Sequence, residues 1–127
     1  MSNLVFVYGT LKRGFGNHRL LEKAKYLGDY KTIDKYTMLS LGAFPAVVLE
    51  QETSRISGEI FLINKTILQN LDFLEGYPEF YNRLLLPTPD TIKHINSTMW
   101  MYYIQGDPRT VYYQDKYPII SDGIWRR

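Results

Sequence analysis

The chain is expected to fold as a small α+β domain, a mixed and mostly antiparallel β-barrel with flanking helices. Three observations point there. Residues 4–8 form an apolar, β-prone run close to the N-terminus. Residues 33–63 break into extended stretches joined by short turns, the pattern of antiparallel neighbours. Between residues 64 and 76 the period changes, and Ile67, Leu68, Leu71 and Leu74 recur at helical spacing. Closure into a barrel is the expected way to remove exposed strand edges.

Leu4 to Tyr8 reads as a buried strand, and Gly9 follows where it should end. Asn17 is placed to cap a short helix through Arg19, Leu20, Leu21 and Ala24, with Gly28-Asp29 as its stop. Residues 33–41 read as a strand broken by Gly42. Phe44 to Leu49 restart an extended run, with Pro45 near its beginning, where a missing N–H is tolerated. Gln51 to Ser54 form a polar turn, and 56–63 form the next strand. Asn64 or Thr66 can cap the helix over 64–76, and Thr66 with Gln69 fits a capping box. Gly76 and Pro78 end it. Residues 80–86 form a strand, and 91–95 with 98–104 form a hairpin around Asn96-Ser97. From Gln105 onward no period is clear.

The 127 residues suit one domain with a sizeable core. A net charge of +2 with no basic cluster argues against a nucleic-acid partner. No apolar run approaches the ~20 residues of a membrane span, and the N-terminus lacks a signal-peptide pattern, so a cytoplasmic location without a membrane partner is expected. The absence of cysteine removes disulfides, thiolate catalysis and Cys-based zinc sites. His18 and His94 are the only histidines and lack a metal-ligand spacing, so neither a metal nor a Ser-His-Asp triad is expected.

Two features carry the chemistry. The first is the turn Tyr8-Gly9-Thr10-Leu11. A glycine after a strand allows a sharp turn and close approach of a ligand to the main chain, and successive N–H groups there can face one anion. The same residues also read as an ordinary turn. The second is Glu75, in the last turn of the helix, where a negative charge opposes the helix dipole at about 0.3–1 kcal/mol. Asp72, three residues earlier, adds repulsion. Locally unfavourable acids are expected at functional sites, although a solvated surface Glu fits the same position. Tyr81 and Arg83 share a face of the following strand and can orient a substrate, or Arg83 is a surface charge. Lys12, Arg13 and His18 read as solvated loop residues, and Asp72 as solvent-facing.

The motif Val-Tyr-Gly-Thr-Leu-Lys-Arg-Gly near the N-terminus, taken with Leu-Asp-Phe-Leu-Glu-Gly-Tyr-Pro-Glu-Phe-Tyr-Asn-Arg in the middle, resembles the γ-glutamylcyclotransferase-like family. The closest likeness is to its γ-glutamylamine cyclotransferase branch. It continues through Asn17-His18-Arg19-Leu20-Leu21, Phe44-Pro45-Ala46-Val47 and Gly58-Glu59-Ile60-Phe61, and spans nearly the whole chain. The resemblance implies a single domain over 1–127 that releases 5-oxoproline from γ-glutamyl compounds. It implies Tyr8, Gly9, Thr10 and Leu11 as the substrate-binding loop and Glu75 as the catalytic acid/base.

That chemistry is an internal attack of the substrate's α-amine on its own γ-carbonyl carbon, which calls for no protein nucleophile, metal or cofactor. Its difficulty is proton affinity. A free Glu titrates near ~4.3 and an α-ammonium near ~7.7–8.0, a mismatch of ~5 kcal/mol. Burial can raise a carboxyl far enough to close most of that gap. Glu75 is therefore expected in a pocket of apolar and Tyr side chains, with the amides of residues 9–11 facing it. A small-molecule γ-glutamyl substrate and a monomer or weak homodimer are expected. A non-catalytic module that binds a small acidic metabolite is the alternative.

Overall fold

The computed structural model describes residues 3–89, 92, 98–106 and 117–126. Seven strands and one α-helix are present among them. In chain order they are β1 (Asn3–Val7), β2 (Lys25–Ser40), β3 (Pro45–Val48), β4 (Ser54–Ile63), α1 (Lys65–Glu75), β5 (Asn82–Pro87), β6 (Thr98–Tyr103) and β7 (Ile119–Ile120). A 3₁₀ turn, His18–Leu21, lies between β1 and β2.

The sheet order is β3-β2-β4-β1-β6-β5, with β7 added to β2. Only β1 and β6 run parallel, and every other pair is antiparallel. The α+β, mostly antiparallel expectation holds. Among the described residues the expected barrel closure is not completed by a strand ladder, because β3 and β5 end the order as edges. A backbone bond from Ile104 N–H to Val47 C=O, 2.9 Å, ties the end of β6 to β3 across the gap.

β1 is buried on both faces, which is why it reads as a continuous apolar run. Val5 and Val7 join a cluster with Leu21, Phe61, Ile67, Leu68 and Leu71, beneath α1 and the 3₁₀ turn. Leu4, Phe6 and Tyr8 join Met38, Ile56, Ile60, Met99 and Met101 on the other side.

The expected helix over residues 17–27 shrinks to the single 3₁₀ turn. Its apolar residues are few, and the chain gains more from pairing with β4, which begins at Lys25↔Leu62. Gly28 is a register shift inside β2, not a helix stop. Its φ of +135° is open to glycine and strained for other residues. A second register shift between Lys31 and Lys35 lets this 16-residue strand pair with β4 along its first part and with β3 along its last. Asn17 makes no side-chain cap bond and instead donates from Nδ2 to Thr10 Oγ1, 2.9 Å.

The helix over 64–76 is present. Asn64 is its cap, accepting from Ile67 N–H at 2.8 Å. The strand expected over 80–86 begins at Asn82 and includes Pro87. Of the expected hairpin, the second arm is β6, whereas residues 91 and 93–97 lie outside the described residues. No helix of the described residues is long and apolar enough to cross a membrane.

Candidate active site

β1 leaves its ladder after Val7↔Glu59, and the chain turns through Tyr8 to Leu11. The buried Tyr8 hydroxyl donates to Tyr102 C=O at 2.9 Å and accepts from Val47 N–H at 3.2 Å. It therefore bridges the two segments that flank the incomplete seam. Gly9 passes beneath Pro45, and a Cβ there would lie 2.8 and 2.9 Å from the proline Cγ and Cδ. Three carbonyls of the turn are taken by the chain that follows it. Lys12 N–H donates to Gly9 C=O (3.1 Å), Asn17 N–H to Thr10 C=O (2.9 Å) and His18 Nδ1 to Leu11 C=O (2.9 Å). The N–H groups of Gly9, Thr10 and Leu11 donate to no described acceptor. A short array of uncommitted amides is what an anion-binding turn requires.

Glu75 is delivered by the phase of α1. Ile67, Leu68 and Leu71 face the core, and Glu75 closes the last turn. Gly76 takes φ +65°, the left-handed cap conformation. Gly76 N–H then reaches Phe73 C=O and Tyr77 N–H reaches Asp72 C=O, so the helix stops there. Tyr81 N–H donates to Glu75 C=O at 3.2 Å, which folds the following segment back over the helix end. Burial pushes the Glu75 carboxyl up to about 7. No described residue hydrogen-bonds that carboxyl, so desolvation acts unopposed.

Tyr8, Gly9, Thr10, Leu11 and Glu75 line one cavity of about 330 Å³, with Asn17, Phe44, Pro45, Phe80, Tyr81 and Tyr102 among its other walls. The sequence-predicted site residues thus come together. Among the described residues, Glu75 is the only charged side chain in the lining. Burial first, and the nearby Glu75 charge second, hold the Tyr81 phenol well above its ordinary range.

Three residues were placed differently by the sequence. Asp72 is not solvent-facing, and Arg83 is not a surface charge. Arg83 Nε and Nη2 meet Asp72 Oδ1 and Oδ2 at 2.8 and 3.1 Å, and Tyr102 OH donates to Asp72 Oδ1 at 2.6 Å. The guanidinium also lies over the rings of Tyr77 and Trp100, at 4.4 and 4.2 Å from their centroids. Tyr81 precedes β5, and its hydroxyl donates to Pro45 C=O at 2.6 Å. The loop cations turn away from the cavity. Lys12 Nζ donates to Trp125 C=O at 2.8 Å, and Arg13 binds Glu59 through its backbone N–H and Nε. Among the described residues no three His, Asp or Glu side chains gather as a metal site.

The profile of the family described as gamma-glutamyl cyclotransferase, AIG2-like, matches residues 5–127. The chain belongs to this family. The gamma-glutamylcyclotransferase family protein YtfP of Escherichia coli K12 is 35% identical over 121 residues, covering 95% of this chain and 94% of that one. The solution structure of E. coli YtfP superposes with a TM-score of 0.69 at 32% identity, over 96% of this chain and 95% of the other. An AIG2-like protein from Mus musculus shares the fold, with a TM-score of 0.73 at 20% identity over 98% of this chain and 88% of that one.

Proposed function

We propose that this family member is a γ-glutamylamine cyclotransferase-like enzyme, releasing 5-oxoproline and a free amine from a γ-glutamyl amine or related γ-glutamyl compound. One observation carries this reading. An acid raised to about 7 by burial shares a cavity with three uncommitted backbone amides.

The steps follow from those groups. The amides of Gly9, Thr10 and Leu11 hold the glutamyl carboxylate, or the oxygen that gains charge, and the walls keep the glutamyl chain folded toward ring closure. Ionised Glu75 takes a proton from the α-amine as its nitrogen attacks the γ-carbonyl carbon. A C–N bond forms, the carbonyl oxygen becomes an oxyanion, and the intermediate collapses. The original amide C–N bond breaks, and Glu75 returns the proton to the leaving nitrogen. An acid near 7 facing an α-ammonium near ~7.7–8.0 lowers the proton-transfer mismatch from ~5 kcal/mol to ~1 kcal/mol.

This chemistry uses no cofactor, and it suits a single cytoplasmic domain over 1–127 acting as a monomer or weak homodimer. Glu75→Gln preserves size and removes the base. Its turnover of γ-glutamyl amines is expected to fall by orders of magnitude while binding persists. Near-normal turnover would refute the role of Glu75. If single-turnover assays release no 5-oxoproline from any γ-glutamyl compound, the protein is a binding module.

A further inference from the structure

The amide turn is closed by a single carboxylate. β1 ends at the rung Val7↔Glu59, and the chain then runs out through residues 8–12 and returns to Glu59. There Arg13 N–H donates to Oε1 at 2.8 Å, and Arg13 Nε donates to Oε2 at 3.4 Å. Both ends of the loop that carries the Gly9, Thr10 and Leu11 amides therefore rest on one residue of β4. Glu59 is buried, and its charge strengthens both bonds. The pull on Arg13 has a visible cause. Glu59 stands opposite Asp29 of β2 in register, and two carboxylates in that relation repel. Arg13 is the cation between them, with Nη2 3.6 Å from Asp29 Oδ1 and its guanidinium 3.6 Å above the Tyr26 ring.

A second tie comes from the C-terminal stretch. Lys12 Nζ donates to Trp125 C=O at 2.8 Å and lies 4.9 Å from the centre of the Phe15 ring. Trp125 is held in turn. Its side chain packs on the cluster of Met38, Ile56 and Ile60, and Gly123 C=O accepts from Ser57 N–H at 2.9 Å. Lys12 N–H also closes the turn on Gly9 C=O, so the residue tied to Trp125 shapes the amide array directly. Neither Glu59 nor Lys12 lines the cavity.

Three amides without acceptors have no hydrogen bonds of their own to aim them, so their direction must be set by what surrounds the loop. We infer that Glu59 and Lys12 are positioning residues, which hold the turn from outside the cavity so that its free amides converge on one anion. The inference rests on the proposed reading of those amides as the substrate's anion site. Its first readout, the order of the amides themselves, needs no turnover.

Nitrogen-15 relaxation should give order parameters near about 0.85 for Gly9, Thr10 and Leu11 in the unaltered protein, and below about 0.6 in Glu59→Met and Lys12→Met, while β1 stays rigid. The Kd for 5-oxoproline, read by calorimetry, should rise about tenfold or more in Glu59→Met and about threefold in Lys12→Met. Glu59→Gln keeps an acceptor for Arg13 N–H and should bind nearly as the unaltered protein does. Lys12 also permits a rescue. The chain has no cysteine, so Lys12→Cys can be alkylated with 2-bromoethylamine at that position alone. The product carries an ammonium at nearly the reach of lysine and should restore both the order and the Kd. The kcat/KM for γ-glutamylethylamide should follow the same series. If Glu59→Met does not fold, the Lys12 series decides. Order parameters and Kd unchanged in Lys12→Met overturn the inference, as does an alkylated cysteine no better than Lys12→Met. If no 5-oxoproline is released from γ-glutamylethylamide but order and Kd move as described, the catalytic reading falls and the positioning stands. If 5-oxoproline does not bind at all, the anion-site reading falls, and the order parameters alone confirm or overturn the two ties.

Discussion

Arg83 of β5 grips Asp72 of α1 through two nitrogens, one helical turn before Glu75. Their side chains are only 15% and 18% exposed. The pair anchors the end of the helix to the sheet, and Tyr102 joins it from β6. Because Tyr102 C=O also receives the Tyr8 hydroxyl, the contacts run unbroken from the helix end to the amide turn.

Arg83→Met should therefore destabilise the fold by about 3 kcal/mol, since it leaves a largely buried carboxylate without its cation. Urea unfolding reads the loss. The double variant Asp72→Asn/Arg83→Met should lose less than the sum of the single changes, because the uncompensated charge is gone. Strict additivity would mean that the pair is not coupled.

Glu75 should titrate near neutrality. Carbon NMR of the labelled side chain is expected to give a midpoint near 7, where burial holds it. A midpoint close to 4.5 would mean that water reaches the carboxyl freely. The activity should follow the ionised fraction and rise with pH through the same range.

The same group sets a stability trend of known sign. Its folded-state pKa is raised, so between about 4.5 and 7 the folded protein binds more protons than the unfolded chain. Stability must then fall as pH rises through that window, by up to ~3 kcal/mol from this group. Glu75→Gln lacks this term. Unfolding midpoints of the two proteins should converge near pH 4.5 and separate by pH 7.5, with the glutamine variant the more stable. Parallel curves would contradict the assignment.

Tyr8→Phe leaves Tyr102 C=O and Val47 N–H without their buried partner. A cost of about 1–3 kcal/mol is expected. Because the hydroxyl is already committed to the protein, the loss should appear in denaturant unfolding more than in kcat. A collapse of kcat with stability intact would instead give the phenol a chemical role.

How much of this was legible depended on range. β1 and α1 were readable because their periods persist over enough residues to outweigh noise. Glu75 stood out because an acid in a last helical turn has no local reason to be there. Asp72 and Arg83 were misplaced because their pairing depends on how β5 returns beside the helix, and nothing within a turn of either residue signals it. Gly28 reads as a helix stop for a similar reason. A glycine ends a helix and shifts a strand register equally well, and the choice was made by β4. The phenol bonds of Tyr8, Tyr81 and Tyr102 were invisible because two of the three acceptors, Tyr102 C=O and Pro45 C=O, are main-chain atoms that no side chain marks.

The left-handed cap at Gly76 has one more consequence. It fixes the azimuth of residue 75, and each residue of an α-helix turns the chain by about 100°. A one-residue insertion between Leu71 and Gly76 would leave composition, charge and helix length almost unchanged, yet swing the acid out of the cavity. Homologous chains that retain this chemistry should accordingly tolerate substitution along the outer side of α1 far better than any change in its count.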